Sequence, residues 1–183
     1  MPLDGEIILI TGTNGFLGRS LAKNLSRRGA EIYGIGHGDF SSAEMSEIGI
    51  KAYMSSEINL SSLLKICKKP NKIIHCASGS SVSYSVSHPK DDFEKTVIST
   101  LSVLEFMRLY AKDAQLVIPS SAAVYGQKEK KSISVDDVLN PISPYGNNKK
   151  ICETISKFYS NNYNLRISVV RFFSLYGPGL KKQ

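Results

Sequence analysis

The 183-residue sequence predicts an α/β fold, a doubly wound parallel sheet with helices on both faces. Three observations carry that prediction. Short β-branched runs alternate with longer segments of helical spacing, which implies right-handed βαβ crossovers. A glycine-rich turn, Gly12-Thr13-Asn14-Gly15-Phe16-Leu17-Gly18, follows the first run directly. Serine-rich stretches, from Ser78 to Ser87 and at Ser120-Ser121, follow later runs, at the strand ends where such sheets bind ligands. One well-cored domain fits the length, since a chain of about 150 residues buries roughly two-thirds of its unfolded surface.

Strands are expected at residues 6–11, 30–35, 51–54, 72–77, 115–120 and 165–171. The first passes into the glycine turn and then a helix in which Leu21, Ala22 and Leu25 share a face. The clearest helix spans 89–112, where Phe93, Val97, Leu101, Leu104, Met107 and Ala111 recur every three or four residues as one apolar face. Ahead of it, Ser83, Ser85 and Ser87 read as a solvated loop. The last helix spans 143–163; Pro144 suits its first turn, and Ile151, Ile155, Phe158 and Tyr159 continue its apolar side.

The net charge of +7 is dispersed in small clusters such as Arg27-Arg28 and Lys68-Lys69, with no aromatic-rich signature beside them. That pattern suits solvated faces and small anions, and nucleic acid is not expected as a partner. No apolar run approaches the roughly 20 residues that span a bilayer, so no membrane partner is expected either. The cysteines (Cys67, Cys76, Cys152) are three and widely spaced, which argues against a disulfide framework and a thiolate zinc site. They suit a reducing, cytoplasmic setting. His37, His75 and His88 lack metal-ligand spacing, and no metal is expected.

Each glycine of the turn has a physical use. Gly12 permits the tight turn, Gly15 lets backbone approach a pyrophosphate, and Gly18 lets the helix pack closely. Amides at the helix N-terminus then face the negative charge. Such a strand–glycine turn–helix unit predicts a Rossmann-type dinucleotide site. The second strand ends Ile35-Gly36-His37-Gly38-Asp39, with no carboxylate where a ribose acceptor for NAD is expected. Gly36 leaves room for a 2′-phosphate that His37 or a lysine can contact, whereas Asp39 can fold back to the ribose. NAD is the cofactor expected, with NADP left open. Glu57 and Ile58 are a candidate adenine contact, and an exposed loop glutamate explains them equally well.

Tyr145 and Lys149 are four residues apart at the start of the last helix and so share a face. An ammonium and a helix N-terminus both favour phenolate, so the pair is expected to work as a general acid–base near neutral pH. Ser121, after the fifth strand, offers a hydroxyl to the reacting oxygen.

In this order, glycine turn, serine and Y-x-x-x-K resemble the extended short-chain dehydrogenases/reductases, also called NAD-dependent epimerase/dehydratases. Further segments share the likeness: Ile74-His75-Cys76-Ala77, Pro141-Ile142-Ser143-Pro144-Tyr145-Gly146, and Arg171-Phe172-Phe173-Ser174-Leu175-Tyr176-Gly177-Pro178-Gly179. The resemblance implies that Ser121, Tyr145 and Lys149 form a catalytic triad acting on a nucleotide-diphosphate sugar. It implies cofactor contacts from residues 12–18, His37, Glu57, Ile58, Cys76, Ala77, Ser78, Thr96, Tyr145 and Lys149, with His75 a strand-end neighbour. Substrate contacts are implied for Ser80, Ser121, Ala122, Tyr145 and Ser174. Three of these depart from the family pattern: Thr96 and Ser174 stand where asparagines are usual, and Ser80 where galactose epimerases carry a lysine.

Ala122-Ala123 replaces the Asp-Glu pair that resembling 4,6-dehydratases use for elimination, which disfavours that reaction. The resemblance therefore implies a 4-epimerase using transient hydride transfer, or an NAD(P)H-dependent 4-keto-sugar reductase. A dinucleotide-binding module without turnover is the reading from another class. The helices 89–112 and 143–163 are expected to pair with their copies in a homodimer. The chain stops just after Gly177-Pro178-Gly179, where the family continues into a substrate domain, so a cofactor half lacking that domain, and hence a fragment, is expected.

Overall fold

A computed structural model describes residues 2–79, 81–128 and 132–180. Six parallel strands form one sheet in the order β3-β2-β1-β4-β5-β6. They are β1 Ile7–Thr11, β2 Glu31–Gly36, β3 Ile50–Ser55, β4 Lys72–His75, β5 Gln115–Ser121 and β6 Arg166–Phe172. Chain order reverses between β1 and β4, which opens a crevice at the carboxyl ends of those two strands. Each of the six expected strands is present, with ends displaced by one or two residues.

The run Ile7 to Thr11 is apolar throughout because both faces of the sheet are covered. Ile8 and Ile10 pack with Ala22, Ile32, Ile48 and Ile50 under α1 (Phe16–Ser26) and α2 (Ser42–Ile48). Leu9 points the other way, into Leu63, Ile73, Leu104, Met107 and Leu116. That layer holds α3 (Leu60–Ile66) and α6 (Ser99–Tyr110), with α7 (Pro144–Tyr163) contributing Ile155 and Tyr159. Helix starts follow local capping chemistry: Ser41 and Asn59 form capping boxes with Glu44 and Ser62, and Ser143 accepts from the Gly146 amide ahead of Pro144. Among the described residues no helix is long and apolar enough to cross a membrane.

Three expectations are corrected here. The helix expected over 89–112 is continuous but contains a π turn, Glu94–Ile98, between α5 (Pro89–Phe93) and α6. The extra residue of a π turn rotates what precedes it by about 100°. Asp92 and Thr96 therefore face inward, while Phe93 is 39% exposed and Leu101 lies at the edge of the buried face at 37%. The stretch 83–87 is helical rather than loop: α4 (Val82–Ser87) buries Ser85 completely, while Ser83 and Ser87 are exposed. On α7, Ile151 and Phe158 are likewise exposed rather than part of the core face.

Candidate active site

The glycine turn folds as its spacing predicts, but the structure sharpens each glycine's reason. Gly12 has φ +66°, and a Cβ there would stand 2.6 Å from the Ala77 amide nitrogen. At Gly18 a Cβ would strike the Gly12 carbonyl oxygen at 2.2 Å, so this glycine seats α1 against the turn rather than against the strands. Gly36 lines the hollow beside His37 and also abuts the turn, where a Cβ would stand 3.2 Å from the Gly12 Cα. Gly15 is exposed at the N-terminus of α1, which has no side-chain cap and no acid in its first turn. The first amides of α1 therefore remain available to an anion. A bare turn and an uncapped helix end fit the pyrophosphate of a dinucleotide.

Two adjoining hollows run along the carboxyl ends of the strands. One, of about 700 Å³, is bounded by Gly12, Asn14, Gly15, His37, Glu57 and Ile58, with Ala77 behind. The other, of about 590 Å³, is bounded by Phe16, Leu17, Ser121, Tyr145 and Lys149. Cys76 and Ser78 line both, so the hollows form one cleft at the β1/β4 switch point.

Some expected ligand contacts sit elsewhere. Thr13 is buried; its hydroxyl donates to the Ile10 carbonyl and accepts from the Ile35 amide, which locks the turn onto the sheet. Thr96 is also buried, where its hydroxyl accepts from the Gly79 amide at 2.8 Å. His75 lies inside, Nδ1 on the Thr11 hydroxyl at 2.7 Å and Nε2 facing the Thr100 hydroxyl at 3.1 Å. Burial, with the Lys149 charge adding to it, pushes the His75 pKa down to about 3. Ser174 is exposed, Ala122 opens the 3₁₀ turn after β5, and Ser80 lies outside the described residues. Asn14 uses its amide internally, accepting from Arg19 at 2.7 Å and donating to the Asp39 carbonyl at 3.4 Å.

The three residues of the expected triad line one hollow. Tyr145 shares it with Ser121, whose Oγ accepts from the Ala123 amide at 3.1 Å. Lys149, one turn on, sends its Nζ to the Pro119 carbonyl at 3.1 Å, 5.7 Å from the Tyr145 ring centre. Pro119 lies beyond the last β4–β5 pair, Ile74↔Val117, where β5 overhangs the cleft. The expected pull of Lys149 on the phenol is not what dominates. Burial pushes the Tyr145 pKa up, the nearby Ser121 hydroxyl opposes this, and the Asp92 charge adds to it. Burial also holds the Lys149 ammonium below its ordinary range.

Three supporting residues carry no sequence signal at their own positions. Ser85 Oγ accepts from the Tyr145 amide at 3.1 Å and fixes the start of α7. Asn148 donates to Asp92 at 2.7 Å between Tyr145 and Lys149. Glu153 accepts from Ser120 at 2.6 Å and from Arg171 at both carboxylate oxygens, which ties α7 to β5 and β6.

Known proteins resemble this chain in sequence and in fold. Protein CapI of Staphylococcus aureus is 31% identical over 93% of this chain and 54% of its own length. The UDP-glucuronate 4-epimerase of Thermodesulfobacterium geofontis is 28% identical over 93% of this chain and 56% of its own. The chain thus spans about half the length of the curated relatives it matches. Among solved structures, UDP-glucuronic acid 4-epimerase from Bacillus cereus, in complex with UDP-glucuronic acid and NAD, superposes with a TM-score of 0.80 at 26% identity. That match covers 94% of this chain and 58% of that one. The profile of the NAD dependent epimerase/dehydratase family matches residues 8–183. With the glycine turn, the parallel sheet and the Ser–Tyr–Lys geometry in agreement, the chain belongs to that family.

Proposed function

We propose that this chain is the cofactor-binding half of a nucleotide-sugar 4-epimerase that holds NAD along the cleft. The observation that carries the reading is that Ser121, Tyr145 and Lys149 line one hollow that is continuous with the glycine turn. When bound, NAD supplies reversible hydride acceptance at a sugar carbon. Tyr145 exchanges a proton with the sugar hydroxyl, and Ser121 donates to the same oxygen as carbonyl character develops. Lys149 holds the nicotinamide ribose. The Gly12–Gly18 turn and the first amides of α1 take the pyrophosphate, with His37, Glu57 and Ile58 at the adenosine end. UDP-sugars are the substrate class proposed, as the relatives' names suggest.

A homodimer is part of the proposal. α6 and α7 pack together through the Tyr159–Glu105 hydrogen bond of 2.6 Å. Around them Ile98, Leu101, Leu109, Ile151 and Phe158 remain exposed on the α6 and α7 side, an area suited to a second copy.

Purified protein supplied with NAD and UDP-glucose or UDP-glucuronate tests the reading. C4-epimerised product is expected, and Tyr145→Phe is expected to lower its rate by roughly 10²–10⁴-fold with NAD still bound. Unchanged turnover in that variant removes Tyr145 from the chemistry. Consumption of NADPH with a 4-keto sugar, without epimerisation, replaces the epimerase by the reductase. NAD binding without turnover makes the chain a binding module.

A further inference from the structure

The π turn carries an acid into the protein interior. Asp92 is fully buried, and its Oδ2 accepts from Asn148 Nδ2 at 2.7 Å. Its Oδ1 has no hydrogen-bond partner among the described residues. That oxygen is pressed against Gly79, where a Cβ would stand 1.7 Å from it. A carboxylate so placed is strongly disfavoured unless an opposite charge lies near. One residue beyond Asn148 is Lys149, itself only 7% exposed, with its Nζ on the neutral Pro119 carbonyl.

We infer that Asp92 is the counter-charge of Lys149: two buried ions of opposite sign, on α5 and α7, that stabilise each other across the Asn148 amide. The other groups facing Lys149 leave this role to Asp92. Cys152 on α7 and Cys76 beyond β4 are thiols that burial keeps protonated, Cys76 with a pKa of about 12. His75 on β4 is neutral for the same reason. Glu153 is charged, but Arg171 occupies both its oxygens, Nε at 3.0 Å and Nη2 at 2.7 Å. Tyr145 offers a ring face. On the helix of Asp92 itself, Asp91 and Lys95 pair with each other at 2.7 Å. Asp92 alone is bonded to a neutral amide and acts on Lys149 with its charge unspent. The same negative charge adds to burial in raising the pKa of the Tyr145 phenol.

The inference concerns groups within the chain, and only its consequence for turnover rests on the proposed function. Competitive labelling with trace acetic anhydride across roughly pH 6–11 reads the protonation midpoint of Lys149 by peptide mass spectrometry. The exposed Lys51 and Lys90 serve as internal standards. In the wild-type protein the Lys149 midpoint is expected below that of Lys51. Asp92→Asn keeps an acceptor for Asn148 and removes the charge. It is expected to lower the Lys149 midpoint by about one pH unit or more, a tenfold change in acidity, with the standards unmoved. An unchanged midpoint overturns the inference, as does a shift produced by Glu153→Gln instead. Should Asp92→Asn fail to fold, the double variant with Lys149→Met decides: recovery of the fold when both charges are removed supports the pair, and continued failure overturns it. In an active enzyme, Asp92→Asn moves the acid limb of the pH–rate profile to lower pH. Absence of wild-type turnover counts against the proposed function and leaves the labelling result standing.

Discussion

At the residue scale, the glycines and His75 show how tightly the cleft floor is built. Gly12 combines a left-handed φ with backbone contact to Ala77, so both backbone strain and a clash oppose any side chain. Gly12→Ala is expected to cost at least about 2 kcal/mol, read as a fall of several degrees in melting temperature, and to abolish NAD binding. His75 is buried neutral with a pKa of about 3 against 6.5 when unfolded. The unfolded chain therefore binds the extra proton between those values, and stability is retained above pH 6.5 and lost as pH falls toward 3. Urea unfolding at successive pH values should show roughly 1.4 kcal/mol lost per pH unit from this group, and His75→Gln should flatten that slope. The residues of the turn and the Tyr145–Lys149 pair were legible because a tight turn and one helical turn fix their geometry locally. Ser85 and Asp92 were not, since they meet Tyr145 and Asn148 across 60 and 56 residues of chain.

At the scale of elements, the π turn between α5 and α6 decides which residues count as core. The 3.6-residue period places Phe93 and Leu101 with Leu104 on one apolar face, but the inserted residue turns Asp92 inward in place of Phe93. Truncation separates the two cases. Leu104, fully buried, should lose about 2–5 kcal/mol as Leu104→Ala, whereas Leu101→Ala should cost under about 1 kcal/mol in a monomer. Denaturant midpoints of the two variants check this. If α6 and α7 form the proposed dimer, Leu101→Glu with Phe158→Glu should yield a folded monomer by sedimentation. Period alone could not disclose the π turn, because one extra residue leaves composition and polarity unchanged.

At the scale of the whole molecule, α7 is the element on which the cleft depends. It carries Tyr145 and Lys149 and is anchored at its start by Ser85, in its first turns by Asp92, and at its middle by Glu153. Glu153 holds Arg171 of β6, whose Nη1 in turn donates to the Tyr125 hydroxyl at 2.7 Å. Arg171 keeps its charge more firmly than usual because of the Glu153 bonds. Glu153→Ala leaves that guanidinium largely buried and unpaired, and a loss of roughly 3 kcal/mol is expected by chemical denaturation. Beyond β6, Phe173 and Leu175 line the cleft while remaining largely exposed.

Local stereochemistry determined much of this protein from sequence alone. Alternating periods gave six strands in their order of appearance, glycine spacing gave the turn after β1, and Y-x-x-x-K gave two groups on one helix face. These depend on a few adjacent residues and need no knowledge of the rest. Tertiary structure alone decided the sheet order that opens the cleft, the inward turn of Asp92, and the protonated state favoured at Tyr145. The reason is desolvation, which is set by every group that packs around a charge and not by its neighbours along the chain.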